Sequence, residues 1–143
     1  MLRQIPFVLA VLLLAAPAVT SALAQKAAKP ESKPEKECPF DYSQRDKIVD
    51  TLKKATCVDA MSTFQACAAA SSGDIELGEA VLGRCEADFA GKLTPAQKRT
   101  YDAEHKKCDV RWARQQGTMY RAFEAYCHAD TAKKWSVRLS KPR

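Results

Sequence analysis

The sequence predicts an all-α fold, a small antiparallel helical bundle of four or five helices stapled by disulfides. Six cysteines follow an export-type leader, so the thiols are expected to be paired. From Ser43 onward apolar residues recur every three or four positions, the period of a helix. No stretch alternates with period two for long enough to read as a strand.

The leader has one cation, Arg3, then an apolar run from Ile5 to Ala16, then Ala22-Leu23-Ala24 before Gln25. This order is that of a signal peptide over residues 1–24, with cleavage near Ala24. The run is shorter than the roughly 20 residues of a membrane span, and no second such run follows. The expected location is therefore periplasmic or secreted, with no transmembrane segment in the mature chain. Residues 25–37 contain no large apolar residue and read as a disordered linker. A stapled domain is expected over 38–137 and a basic tail over 138–143.

Within the domain, Ser43 is a candidate N-cap, with Asp46 in the first turn and Ile48, Leu52 and Ala55 on one stripe. Ala60, Met61, Phe64 and Cys67 extend the pattern to a turn at Ser71-Ser72-Gly73, and Thr56 to Asp59 leaves open whether one helix or two carry it. Leu77, Val81, Cys85 and Phe89 stand four apart in the next segment, which runs from Asp74 to a stop at Gly91. Thr94-Pro95-Ala96-Gln97 combines a cap, a first-turn proline and a reciprocal glutamine. The helix it starts should reach Gln116, with Tyr101, His105, Cys108 and Trp112 on one stripe and Gly117 as its left-handed stop. Thr118 is the expected cap of a last helix that buries Met119, Phe123, Tyr126 or Cys127, and Trp135.

Six cysteines allow 15 pairings. Cys108 lies nine residues before Gly117 and Cys127 ten after it, so a hairpin turning there sets them side by side. Cys67 and Cys85 also flank a turn, which leaves Cys38 for Cys57. Each bridge is expected to contribute roughly 2–4 kcal/mol, comparable with the net stability of a domain this size.

Catalytic readings find little support. Redox catalysis normally uses Cys-x-x-Cys, whereas the closest cysteines here are Cys57 and Cys67. His105, Cys108, Cys127 and His128 could be imagined around a metal, but the same two cysteines form the best disulfide pair, so no metal or other cofactor is expected. Two histidines without a Ser-His-Asp pattern give hydrolysis nothing to stand on. Asp102 and Glu104 point to different helix faces. The sequence thus predicts a protein that is not an enzyme.

Charge is unevenly distributed. The chain has 23 basic and 17 acidic residues, and Arg3 is the one charge in the leader, so the remainder carries net +5. Residues 38–130 hold 13 basic and 14 acidic groups, whereas Lys133, Lys134, Arg138, Lys141 and Arg143 stand in a terminal stretch with no acid. That stretch is a candidate contact for an anionic envelope polymer or lipid, at about 1 kcal/mol per basic residue near such a surface. Nucleic acid is not expected as a partner, since the chain lacks an interleaved aromatic-basic platform. Asp74, Glu76, Glu79, Glu86 and Asp88 form the one acidic face, opposed by Arg84 alone. Trp112, Tyr120, Tyr126 and Trp135 fall at helical spacing, which more often marks core than a binding surface.

Cys57, Thr63 and Cys67, then Leu93, Gln97, Tyr101 and Cys108, then Gly117-Thr118, Cys127 and Leu139 resemble the spacing of the small exported helical proteins related to LprI-type lysozyme inhibitors. The resemblance covers roughly residues 57–140. Cys38 and Cys85 are additional to that pattern, and a segment that usually contains Trp reads Tyr101-Asp102-Ala103-Glu104-His105 here. It implies a non-catalytic binding protein that contacts another exported protein. Because animal lysozymes are typically cationic, the acidic face from Asp74 to Asp88 is where such a contact would be expected. The alternative expectation is an envelope-associated structural or adaptor protein that uses its basic C-terminal tail. A protonation-driven holdase is disfavoured by three staples and only two histidines.

Overall fold

A computed structural model of the chain describes residues 37–141. The signal peptide expected at 1–24, the linker through residue 36, and residues 142–143 lie outside the described residues. Five α-helices form the domain: α1 (Arg45–Lys54), α2 (Cys57–Cys67), α3 (Gly73–Glu86), α4 (Pro95–Trp112) and α5 (Thr118–Ser140). Short 3-10 turns at Tyr42–Gln44 and Ala90–Lys92 precede α1 and α4, and no strand is present among the described residues. The expected all-helical stapled bundle is what the chain adopts.

Local chemistry sets the boundaries. Asp41, not Ser43, caps the first turn, its carboxylate accepting from the Ser43 amide. The open question at Thr56 is resolved as a break: α1 stops at Lys54, and Thr56 caps α2 by accepting from the Asp59 amide. Thr94 and Gln97 form the reciprocal capping box at α4. This helix ends at Trp112, short of Gln116, and Gly117 at φ 108° makes the reversal that only glycine enters without strain. Thr118 is accordingly the first residue of α5 and not its cap.

The core lies between α3 and α5, closed by α1 and α2. Ile48, Leu52, Phe64, Leu77, Val81 and Cys85 are fully buried there, and Phe89 nearly so. Each large apolar side chain so buried is worth about 1.5–3 kcal/mol relative to exposure. At one end Phe89, Tyr101 and Trp135 meet, with ring centroids 5.3 Å apart for Phe89–Tyr101 and 5.5 Å for Tyr101–Trp135.

On α5 the buried face differs from expectation. Ala122, Ala129, Ala132, Trp135 and Ser136 are buried, whereas Met119 and Phe123 remain 42% and 37% exposed. The cause is the closeness of α3, where a Cβ added to Gly78 would lie 2.9 Å from the Ala125 methyl. A seam this tight admits only small side chains, so Met119 and Phe123 stay exposed and Tyr126 turns toward Phe64 on α2.

Two of the three expected disulfides are re-paired. Cys108–Cys127 forms as expected, but the other bridges are Cys38–Cys67 and Cys57–Cys85, not Cys67–Cys85 and Cys38–Cys57. In the α2–α3 hairpin the start of one helix lies beside the end of the next. Cys57 at the head of α2 therefore meets Cys85 near the foot of α3. Cys67, beside the turn, is left to hold the segment containing Cys38.

Candidate functional site

The hairpin of α4 and α5 carries chemistry on both of its sides. Cys108 and Cys127 clamp it, with Cα atoms 5.7 Å apart. Along one side runs an open groove of about 650 Å³. Its floor is the disulfide with Trp112, Phe123 and Tyr126, and its rim includes Lys107, Arg111, Lys134 and Arg138. All four of these basic residues are exposed.

The two acids of the groove are already engaged. Glu104 accepts from Trp135 Nε1 at 2.6 Å. Asp130 faces Lys134 at 2.6 Å and Lys133 at 3.2 Å. Burial would raise the Asp130 carboxyl, yet the hydrogen bonds from Lys134 and Lys133 outweigh it and hold the group below its ordinary value. Counted against the four cations, these two acids still leave the groove with a surplus of positive charge. Trp112 stacks loosely with Phe123 and Tyr120 at 5.5 and 6.0 Å between centroids, and its Nε1 is buried without a hydrogen-bond partner. The groove thus combines a flat apolar wall with cationic edges.

Across the disulfide, α4 and α5 bring both histidines together. His105 Nδ1 and His128 Nδ1 lie 2.6 Å apart, and His128 Nε2 is 3.0 Å from Asp109 Oδ1. With both rings neutral, His128 donates from Nε2 to Asp109 and accepts at Nδ1 from His105. Burial and then the charge of His128 push the His105 imidazole below its ordinary value of 6.5. Glu124, four residues before His128 on α5, completes the cluster. The expectation that Cys108 and Cys127 pair with each other holds here, and the two histidines are joined by Asp109 and Glu124, which the sequence reading did not single out. Spacing was the available signal, because Asp109 is four residues from His105 and Glu124 four from His128, each pair on one helix face.

The expected acidic face is largely consumed within the fold. Asp74 is not on a solvated face: it is 2% exposed and accepts from the Ala69 and Ser71 amides and from Tyr42. Glu86 accepts from Tyr101, whose hydroxyl is pushed up by burial and then by that carboxylate. Asp88 binds Arg84 and Ser136, and Glu76 pairs with Arg45 at 3.2 Å. Glu76 and Glu79 are its exposed members.

Nor is the basic stretch detached from the domain through Ser140. It is the last turns of α5, with Lys133 and Lys134 on Asp130 and Arg138 4.8 Å from the Trp135 ring centroid. Lys141 follows as an exposed C-cap, while Arg143 lies outside the described residues. Among the four singled-out aromatics, Trp135 is core, whereas Trp112, Tyr120 and Tyr126 are half-buried. Tyr126 accepts from Gln65 at 2.6 Å. No helix among the described residues is long and apolar enough to cross a membrane. In comparisons with family models, curated proteins and solved structures, the chain has no match.

Proposed function

We propose that this chain is a small exported, non-catalytic binding protein whose α4–α5 groove takes an anionic polymer of the cell envelope. The observation that carries the reading is the groove's charge. Lys107, Arg111, Lys134 and Arg138 line one trough and outnumber its two acids, Glu104 and Asp130, the second of which is paired with Lys134. A cationic trough raises the local concentration of an anionic ligand, and the exposed faces of Trp112 and Phe123 give sugar rings an apolar wall. Three disulfides and the absence of a membrane-spanning helix among the described residues are compatible with export. A lysozyme-inhibitor-like role draws on the acidic face instead, and the fold leaves that face only Glu76 and Glu79 exposed.

The experiment is co-sedimentation of the oxidised protein with purified sacculi, beside anionic vesicles, at low and high salt. Binding to sacculi should weaken steeply with salt and should be lost in Lys107→Glu/Arg111→Glu. Wild-type protein that stays in the supernatant, or a charge-reversed variant that still sediments, overturns the reading. Preference for vesicles would move the ligand from glycan to lipid. Muramidase assays with excess protein should show an undiminished rate, and inhibition would favour the acidic face.

A further inference from the structure

We propose that Asp109, Glu124 and His128 form a binding site for a divalent transition-metal ion such as zinc, with His105 as the positioning residue behind it. Two four-residue pairs face each other across the hairpin: His105 and Asp109 on α4, Glu124 and His128 on α5. One donor atom each from Asp109, Glu124 and His128 lies within 4.8 Å of the other two. Ligands around a tetrahedral zinc at about 2.0–2.1 Å stand roughly 3.3 Å apart, so small side-chain rotations close the site. One imidazole with two carboxylates suits zinc or its first-row neighbours, whereas calcium and magnesium prefer an all-oxygen shell.

Support for the ligands is already in place. Asp109 follows Cys108 and His128 follows Cys127, so the disulfide fixes the spacing of the two helices where the ligands sit. His105 Nδ1 faces His128 Nδ1 at 2.6 Å, as an outer-shell partner of a metal-bound imidazole must. Metal at His128 Nε2 displaces the proton now shared with Asp109. The Nδ1 proton of His105 then passes to His128 Nδ1, which donates back to His105 Nδ1, and the proton displaced by the metal is taken up at His105 Nε2, a buried nitrogen that has no hydrogen-bond partner in the metal-free chain. The two rings stay neutral and exchange tautomers, with no net change in bound protons. Among the described residues, Arg121 is the one cation paired with these carboxylates, 3.5 Å from Glu124 and 71% exposed. An exposed pair of that kind is worth no more than about 1 kcal/mol and gives way easily. The site is independent of the groove on the other side of the disulfide.

The chain has only these two histidines, so tag-free wild-type protein labelled with 15N reports the site directly. Chelator-stripped, oxidised protein titrated with zinc should bind one equivalent, and both imidazoles should change tautomer together. Cobalt should give the absorption of a tetrahedral complex. His128→Gln and Asp109→Asn should each weaken zinc binding at least tenfold. His105→Gln should weaken it by about tenfold while leaving the stoichiometry at one, as loss of an outer-shell partner does. Unmoved imidazole resonances in the wild type at a twofold excess of zinc overturn the proposal, whatever the variants do. So does undiminished zinc affinity in a folded His128→Gln protein.

Discussion

Tyr42 donates its hydroxyl proton to Asp74 Oδ1 at 3.0 Å, tying the segment before α1 to the start of α3. A tyrosine has one such proton, so Ser71 donates in turn to the Tyr42 oxygen. Asp74 Oδ2 meanwhile accepts from the Ala69 and Ser71 amides, closing the loop in which Ala70 sits at φ 53°. This buried carboxylate organises the α2–α3 turn. Asp74→Ala should cost about 3 kcal/mol, because the donors it serves are left without a partner. Tyr42→Phe, which removes one donor and leaves both amides satisfied, should cost about 1 kcal/mol. Urea midpoints of the two variants check the ranking, and equal losses would refute it.

Gly78 and Gly83 lie in the same helix and should respond in opposite directions to alanine. A methyl at Gly78 would meet the Ala125 Cβ at 2.9 Å and its backbone at 3.1 Å, whereas nothing lies within 4 Å at Gly83. Gly83→Ala should stabilise the protein by about 0.5–1 kcal/mol through helix propensity. Gly78→Ala gains the same propensity but forces α3 away from α5, so a net loss of about 1–3 kcal/mol is expected. Thermal unfolding of both variants decides the point.

That seam also explains what the sequence could and could not reveal. The Thr94–Gln97 box and the buried row Leu77, Val81, Cys85 and Phe89 were legible, since each depends on residues of one segment. The inward face of α5 was not, because it depends on the close approach of Gly78 on α3 to Ala125 on α5, a contact between segments. Symmetry about a turn found Cys108–Cys127. Applied strictly, it also finds Cys57–Cys85, as both lie fourteen residues from Ser71, whereas the midpoint of Cys67 and Cys85 falls inside α3. At the candidate sites both histidines were noticed, but Asp109, Glu124, Lys107 and Arg111 needed the rotation of α4 against α5.

Acid should loosen the end of α3 through Asp88. The hydrogen bond from Arg84 holds its carboxyl below the ordinary 3.8, against the opposing effect of burial and with help from Ser136 on α5. A carboxyl depressed in the folded chain binds fewer protons there than when unfolded, so its contribution is complete above about pH 3.8 and falls away below it. Arg84 also donates to the Ala55 carbonyl at 2.5 Å, so releasing it loosens the α1–α2 corner as well. Asp88→Asn should lower stability at neutral pH and flatten the acid limb of a urea-midpoint profile measured from pH 6 to 3. A limb of unchanged slope would remove Asp88 as its source.

The bridges should differ in what their loss costs. Cys57 and Cys85 are 3% and 0% exposed and belong to the buried core. Replacing both by alanine removes a cross-link over 28 residues and also leaves a core void, so a loss toward the upper end of about 2–5 kcal/mol is expected. Cys38–Cys67 closes a loop of similar length, 29 residues, but Cys38 is only half-buried. Chain entropy alone would make these two losses equal, because it depends on loop length. The difference between the two double variants therefore isolates the packing contribution of the buried sulfurs. Non-reducing peptide mapping of the wild type must first show Cys38 linked to Cys67 and Cys57 to Cys85. Recovery of a Cys67–Cys85 peptide would overturn both the pairing and the helix arrangement that requires it.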